Sequence, residues 1–349
     1  MIGRAFKTLI PVCLISFVGF VVSTAVSGPR HEVTNVITEV TFEGMEEHSS
    51  NGTSESWEFS ESYTDIYLDI GALEVELKPT SGTKTTFSLT GTKPGDGDVE
   101  SYISGGTLYL TTSSGSLDLG DFFERFAKAL ETGSGWDELF GTGKLVVGVP
   151  NEQYGTIEAE LGSGKLVLDR IQAENLSFDV GSGLLICDNA KASDSLYLNM
   201  GSGKTEISGI NCENFNVNIG SGVFDIDGIT GSGYIEMGSG SGTLGFAEMN
   251  GDSTIEVHSG SLKVALPENP SVDISADIGT GAVRVNACGQ NASLRDGNSI
   301  TIGGGEYSVM VDLGSGSVSF VDRAKQADAV ATTVITNYAV EEVDLVEEV

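Results

Sequence analysis

Basic residues are scarce: 18 lysines and arginines stand against 50 aspartates and glutamates in a chain of 349 residues, a net charge of −32. So much uncompensated acid argues against nucleic acid or anionic lipid as a partner, because like charge repels both. Cations, basic peptides and cell-wall material remain compatible. Histidine is scarcer still, with three in all. Two of them, His31 and His48, fall in a polar N-terminal stretch, so His258 alone is left for histidine chemistry. Of the four cysteines, Cys13 lies in an apolar leader and the remaining three, Cys187, Cys212 and Cys288, are an odd number. The repeat described below is expected to place Cys187 and Cys288 inward and several coils apart, as small buried hydrophobes, so stability is not expected to rest on disulfides. Proline is rare at 7 residues while glycine is abundant at 47, alongside plentiful valine, isoleucine, leucine and phenylalanine. That balance describes many short strands joined by glycine turns rather than a disordered chain.

The N-terminus places Arg4 and Lys7 before an apolar run at 9–22 and small residues at 23–28. This is the order of a secretory signal with a cut after Ala25 or Ser27. The stretch is also just long enough to span a bilayer as an uncleaved anchor. Both readings export the rest of the chain, and both confine membrane contact to residues 1–27. No small residue precedes Cys13, which argues against a lipoprotein. Residues 28–60 are polar and read as a tether.

A Gly-Ser-Gly triplet or a close variant begins at Gly162, Gly181, Gly201, Gly220, Gly238, His258, Gly279 and Gly314. The spacings are 19, 20, 19, 18, 20 and 21, and then 35, a gap expected to hide one irregular coil around Gly303. A fixed period near twenty means stacked units. One residue before each triplet stand Leu161, Val180, Met200, Ile219, Met237, Val257, Ile278 and Leu313, all apolar. Three before it come Ala159, Phe178, Leu198, Val217, Ile235, Ile255, Ala276 and Val311. Five before it the column is apolar except at Gly233 and Ser253. After the triplet a second alternation begins, with Leu168, Cys187, Ile207, Ile226, Leu244, Val264, Val285 and Phe320 six residues beyond its first member.

Alternation with period two puts one face of each strand inward. The pattern therefore predicts an all-β parallel solenoid of about twenty-residue coils, two strands per coil, with a looser turn such as Gln172–Asn175 closing each one. Glycine is expected at the corner because a sharp bend needs backbone angles that a β-carbon forbids. The triplet is no phosphate loop, since neither a helix pattern nor a Lys-Ser/Thr follows it.

The regular solenoid is expected over 151–321. Residues 61–150 alternate without the glycine clock and read as an irregular β cap. That cap carries a helical insertion at 121–140, where Phe122, Phe123, Phe126, Ala129 and Leu130 keep helical spacing behind an Asp121 cap. Such a helix is expected to lie against the solenoid; a helix for a partner or a membrane surface is the sharper reading, weakened by its acidic flanks. The stretch 322–349 is an acidic tail, a solvated end.

Lys144, Leu145, Val146, Val147, Gly148, Val149 and Pro150, followed by coils of the form seen from Gly162 to Ile171, resemble the bacterial β-strand-repeat family known as "putative adhesins". The resemblance covers roughly residues 60–321. It implies an exported, surface-exposed β-solenoid and brings no catalytic residues with it.

Candidate chemistry is sparse. His258 takes a corner otherwise held by glycine, and Ser259 beside it matches the Ser or Thr of every other triplet, so a tolerated substitution explains the pair better than a triad. Two acidic columns stand out. Two residues before each triplet are Glu160, Asp179, Asn199, Asn218, Glu236, Glu256, Asp277 and Asp312, and seven after its start come Asp169, Asp188, Ser208 and Asp227. Plain readings are a solvated face for the first and turn-capping for the second. A sharper one is a shallow calcium strip at Glu236, Glu256 and Asp277, since carboxylates at strand spacing resemble hard-cation ligands. No other cofactor is expected. The chain thus reads as an exported cell-surface binding or adhesion module, not an enzyme, whose partner is an envelope or surface component, glycan or protein. Alternatives are a carboxylate-dependent polysaccharide-active enzyme and a filament-forming envelope protein.

Overall fold

The computed structural model describes residues 46–48, 54–91, 99–112 and 143–323, all within a compact unit running from Gly44 to Val349. Every regular element among them is a strand, and there are twenty-five. The expected leader, the helical insertion at 121–140 and nearly all of the acidic tail lie outside the described residues.

Alternation in the sequence becomes alternation in burial. In Gln172–Val180, Leu176, Phe178 and Val180 are buried while Asp179 is exposed. Strands ahead of the Gly-Ser-Gly corners stack side by side in a first ladder, and strands behind them stack in a second. Pairing along both is parallel and in register: Asp179 lies between Glu160 and Asn199 in the first ladder, and Leu184 between Lys165 and Lys204 in the second. Val223–Met237 passes from the second ladder into the first without a break, so one hydrogen-bonded sheet includes all twenty-five strands. The core fills the space between the ladders, and the result is solenoid-like.

The corner glycines owe their place to something other than backbone angle. None of the triplet glycines has a positive φ. A β-carbon on Gly183 would instead come within 2.6 Å of the Gly164 carbonyl oxygen, and one on Gly203 within 2.5 Å of the Gly183 oxygen. Close approach of coil to coil therefore requires the third glycine of each triplet. Left-handed backbone occurs at the second corner, at Arg170, Asn189, Gly209 and Gly228. Neighbours also explain why glycine stands at two inward positions, Gly233 and Gly242. The Phe224 ring occupies the space beside Gly242, and a β-carbon on Gly233 would meet the Phe215 backbone at 1.9 Å.

Chain order and stacking order differ at both ends. The coil 65–80 does not begin the stack: its strands pair with those of coil 107–150 on one side and of coil 153–169 on the other. At the far end, coil 307–322 inserts between 253–266 and 272–286. Ten parallel coils result. Antiparallel strands then cover each end, Val99–Ser104 and Thr85–Thr90 at one and Asn298–Ile302 and Ala292–Leu294 at the other. A parallel edge left bare would invite another chain to add to it.

Several expectations change in consequence. The 35-residue gap holds those two antiparallel capping strands, not an additional irregular coil. Gln172–Asn175 is no loose turn. It opens the strand Gln172–Val180, with a register shift between Ala173 and Asn175. That short stretch supplies a third inward column, with Tyr154, Ala173, Ala192 and Cys212 buried. Cys187 and Cys212 are the buried thiols, whereas Cys288 is exposed at a left-handed turn. The tether assigned to 28–60 carries two strands, Glu46–His48 and Glu55–Phe59, paired into the sheet.

Candidate binding face

Because every outward position repeats once per coil, each becomes a column running along the stack at about 4.8 Å per step. On the first ladder one column reads Asp69, Glu160, Asp179, Asn199, Asn218, Glu236, Glu256, Asp312, Asp277. The next reads Tyr109, Tyr67, Glu158, Ser177, Tyr197, Asn216, Tyr234, Thr254, Met310, Ser275. Neither column contains a lysine or an arginine.

Repulsion in the carboxylate column is relieved in part by its neighbours. The Asn199 amide donates to both carboxylate oxygens of Asp179 at 3.2 Å. Burial, and then the charge of Glu160, push the Asp69 carboxyl above its ordinary range. Asp277 is pushed up as well, first by a hydrogen bond with Asp296 and by its charge, with a smaller contribution from Asp312.

The tyrosines are organised by the same carboxylates. Tyr67 donates its hydroxyl to Glu160 Oε1 at 2.9 Å, and Tyr234 donates to Glu236 Oε2 at 3.4 Å. Burial, reinforced by the hydrogen bond and charge of Glu160, pushes the Tyr67 phenol up to about 12. Tyr234 moves the same way. These phenols therefore stay neutral and keep a proton to donate. At the capped end the rings continue as a ladder: Tyr102 stacks on Tyr109 with centroids 5.0 Å apart, and Tyr109 meets Tyr67 at 5.7 Å. Further along, Tyr197 is 40% exposed and Met310 51%. The surface combines apolar ring area with fixed negative charge.

The second ladder is built differently. Lys144 and Lys165 flank Glu74 in one column, with Nζ to Oε1 distances of 3.3 and 3.4 Å. Lys144 also reaches Glu76 at 2.7 Å, as does Lys78. Hydrogen bonds from Lys144 and then Lys78 hold the Glu76 carboxyl below its ordinary value. Further along, Lys204 pairs with Glu206.

Of the strip expected from sequence, Glu236 and Glu256 are neighbours across one ladder step. Asp277 is not next in line, because the late coil places Asp312 between it and Glu256. Among the described residues no group of three or more His, Cys, Asp or Glu gathers where it could hold a metal ion. In the other acidic column Ser208 Oγ donates to Asp188 Oδ1 at 2.6 Å, and Arg170 and Arg323 pair with Asp169 and Asp227. His258 stands exposed at its corner, where its backbone carbonyl accepts the Ser315 N–H at 2.7 Å. The neighbouring Ser259 Oγ accepts from Ser315 Oγ at 3.3 Å. The tyrosine column was missed in the sequence, although Tyr67, Tyr197 and Tyr234 share one register position there. Its extension through Tyr109 and Tyr102 depends on the exchanged order of the first coils.

This architecture defines an all-β, solenoid-like repeat protein with a long sheet that does not close on itself. The family model described as Toastrack DUF4097 matches residues 63–320, and the chain belongs to that family. Among curated proteins none matches. Solved structures with a similar course include a "putative lipid binding protein" from Parabacteroides distasonis ATCC 8503. It is 18% identical, with 78% of this chain and 98% of that chain covered at a TM-score of 0.47. A "putative adhesin" from Bacteroides fragilis NCTC 9343 is 10% identical, covering 77% and 97% at a TM-score of 0.43. Another from Parabacteroides merdae ATCC 43184 is 13% identical, covering 78% and 98% at 0.37. None of the three bears on what this chain binds. No helix among the described residues is long and apolar enough to cross a membrane.

Proposed function

We propose that this chain is an exported parallel β-solenoid of about twenty-residue coils that acts at the cell surface as a binding module, not an enzyme. Its ligand face is the outward side of the first ladder, and its partner is an envelope or surface component bearing amino groups. One observation carries this reading: the two columns of that face hold carboxylates, amides and tyrosines with no cation among them, while on the other ladder Glu74, Glu76 and Glu206 each meet a lysine. Counter-charge for the first ladder then comes from outside, as ammonium groups that the carboxylates attract and the tyrosine faces accept. Export rests on the charged, apolar and small-residue order of residues 1–27.

Capture of envelope and host-matrix fractions by the immobilised protein tests the proposal. The combined Tyr67→Ser, Tyr109→Ser, Glu160→Gln variant is expected to lose capture, and added salt to weaken it in the parent. Lys165→Gln with Lys204→Gln, on the other ladder, is expected to leave it intact. Capture that ignores the first set and follows the second would place the ligand on the wrong face. A second reading, a calcium strip through Glu236, Glu256 and Asp277, is favoured by the direct adjacency of Glu236 and Glu256. Its test is the last of those below.

A further inference from the structure

The two ends of the stack are finished differently. At one end the outermost strands among the described residues are Glu46–His48 and Glu55–Phe59, each paired on one side only, and they bring Glu46, Glu47, Glu55 and Glu58 to the edge. Charge on an edge strand deters another chain from adding to it. At the other end the outermost strands are Ala292–Leu294 and Asn298–Ile302, again paired on one side only, and neither holds a charged residue or a proline. Ile300, Thr301 and Ile302 are β-branched and suit a pleated edge. Arg295 and Asp296 stand in the turn between these two strands, not on them. The fold therefore leaves this edge without the charge that protects the first.

An acceptor for another kind of protection stands at its start. Three stretches of the chain read Asn-x-Ser/Thr with a middle residue other than proline, and they begin at Asn51, Asn175 and Asn291. That pattern is the acceptor for an N-linked oligosaccharide in an exported chain, and it needs a surface position. Asn51 lies outside the described residues. Asn175 is half-buried within the first ladder, between Thr156 and Ser195, and its Oδ1 accepts the Ser195 hydroxyl at 2.7 Å. A sugar chain there would break the stacking of coils. Asn291 is exposed and directly follows a tight turn, in which the Gln290 N–H donates to the Ala287 carbonyl at 2.9 Å and Gly289 has a φ of 76°. Ser293, two residues on, is exposed too. Because Ala292–Leu294 is a three-residue strand held on one side only, it can leave the sheet at little cost and present Asn291 with Ser293 to an enzyme.

We propose that Asn291 carries an N-linked oligosaccharide that blunts this uncharged edge; the proposal rests on the export of the chain inferred above. The donor is an oligosaccharide held on a lipid phosphate. The Asn291 amide nitrogen forms a bond to C1 of the first sugar, the bond from C1 to the phosphate oxygen breaks, the lipid phosphate leaves, and the amide gives up one proton. Standing where the outer strand of the second ladder begins, the sugar chain denies that edge to another chain by bulk and hydration.

Peptide mass spectrometry of the full chain isolated from the envelope and medium of its own cells tests this. The peptide holding Asn291 is expected to carry the added mass of a sugar chain, and the one holding Asn175 to have its bare mass. Ser293→Ala should lose the addition although Asn291 remains, and Ser293→Thr should keep it. In sedimentation Asn291→Gln should form larger species than the native protein, and Ser299→Lys, which puts a charge on the same edge, should reverse that. Asn291 found bare in exported protein overturns the proposal and leaves the export reading standing, whereas a chain confined to the cytosol overturns both. An addition that survives Ser293→Ala, or an Asn291→Gln variant that sediments like the native protein, also overturns it.

Discussion

The two ladders come from the same repeat and share one core, yet they differ in how they handle charge. A stacked fold repeats each outward residue every 4.8 Å, so a charged column must alternate in sign or accumulate repulsion. The second ladder alternates at its first coils, with Lys144, Glu74 and Lys165 on successive strands and Glu76 shared by Lys144 and Lys78, although Glu206 and Asp225 adjoin further along. In the two outward columns of the first ladder acid accumulates, tempered by amides such as Asn199 and Asn218 and by tyrosine hydroxyls. One ladder brings lysines to several of its own acids. Among the described residues the two outward columns of the other hold no lysine or arginine, and the proposed binding face rests on that difference.

The comparison assumes that burial alternates strictly along each strand, and Val217 and Asn218 test that assumption. Val217 is fully buried and its neighbour Asn218 faces outward. Val217→Asp is expected to cost about 3–5 kcal/mol or to unfold the stack, because it buries a charge without a partner. Asn218→Asp should change stability by less than about 0.5 kcal/mol. Denaturant unfolding of the pair measures both, and equal losses would mean that the outward columns are misassigned.

Single charge changes should act with opposite sign on the two ladders. Lys144→Glu sets three acids together on the second ladder and is expected to cost about 1 kcal/mol. Asn199→Lys adds a cation beside Asp179 on the first ladder and is expected to stabilise by about 0.5 kcal/mol. If both variants are destabilised, the first ladder is not short of positive charge.

Acidity separates Asp69 and Asp277 of the first ladder from Glu76 of the second. Folded Asp69 and Asp277 hold their protons to higher pH than the unfolded chain does, so the fold takes up protons there. Their contribution to stability therefore grows as pH falls through the raised values toward the ordinary 3.8. Glu76 behaves in reverse. Its lowered value gives stability that is complete above its ordinary 4.5 and is lost as pH falls through the folded value. Thermal melts should thus show stability rising on mild acidification and then collapsing at lower pH. Asp277→Asn should flatten the rise without touching the collapse.

The smallest effect concerns calcium. At millimolar concentration calcium is expected to raise the melting temperature more than magnesium does, since it accepts irregular sets of oxygen ligands. Replacing Glu236, Glu256 and Asp277 by Asn should remove that difference. A shift that persists in the triple variant would move the ion elsewhere.

Much of this protein was legible before any coordinates, because a stacked repeat writes its inward columns directly into the sequence. Leu161, Val180 and Met200, or Phe178, Leu198 and Val217, reveal their common side through position alone, and so do the outward acids between them. Local signals of that kind need no knowledge of distant partners. Tertiary structure decided whatever depends on which coil lies beside which. It exchanged the order of coils at both ends, set Asp312 between Glu256 and Asp277, and completed the Tyr102, Tyr109 and Tyr67 ladder from strands far apart in order. It also gave the triplet glycines their reason, since the clash they avoid is with a neighbouring coil's carbonyl and not with their own backbone. Pairing between coils is a long-range choice, made by hydrogen bonds and packing that no window of twenty residues contains.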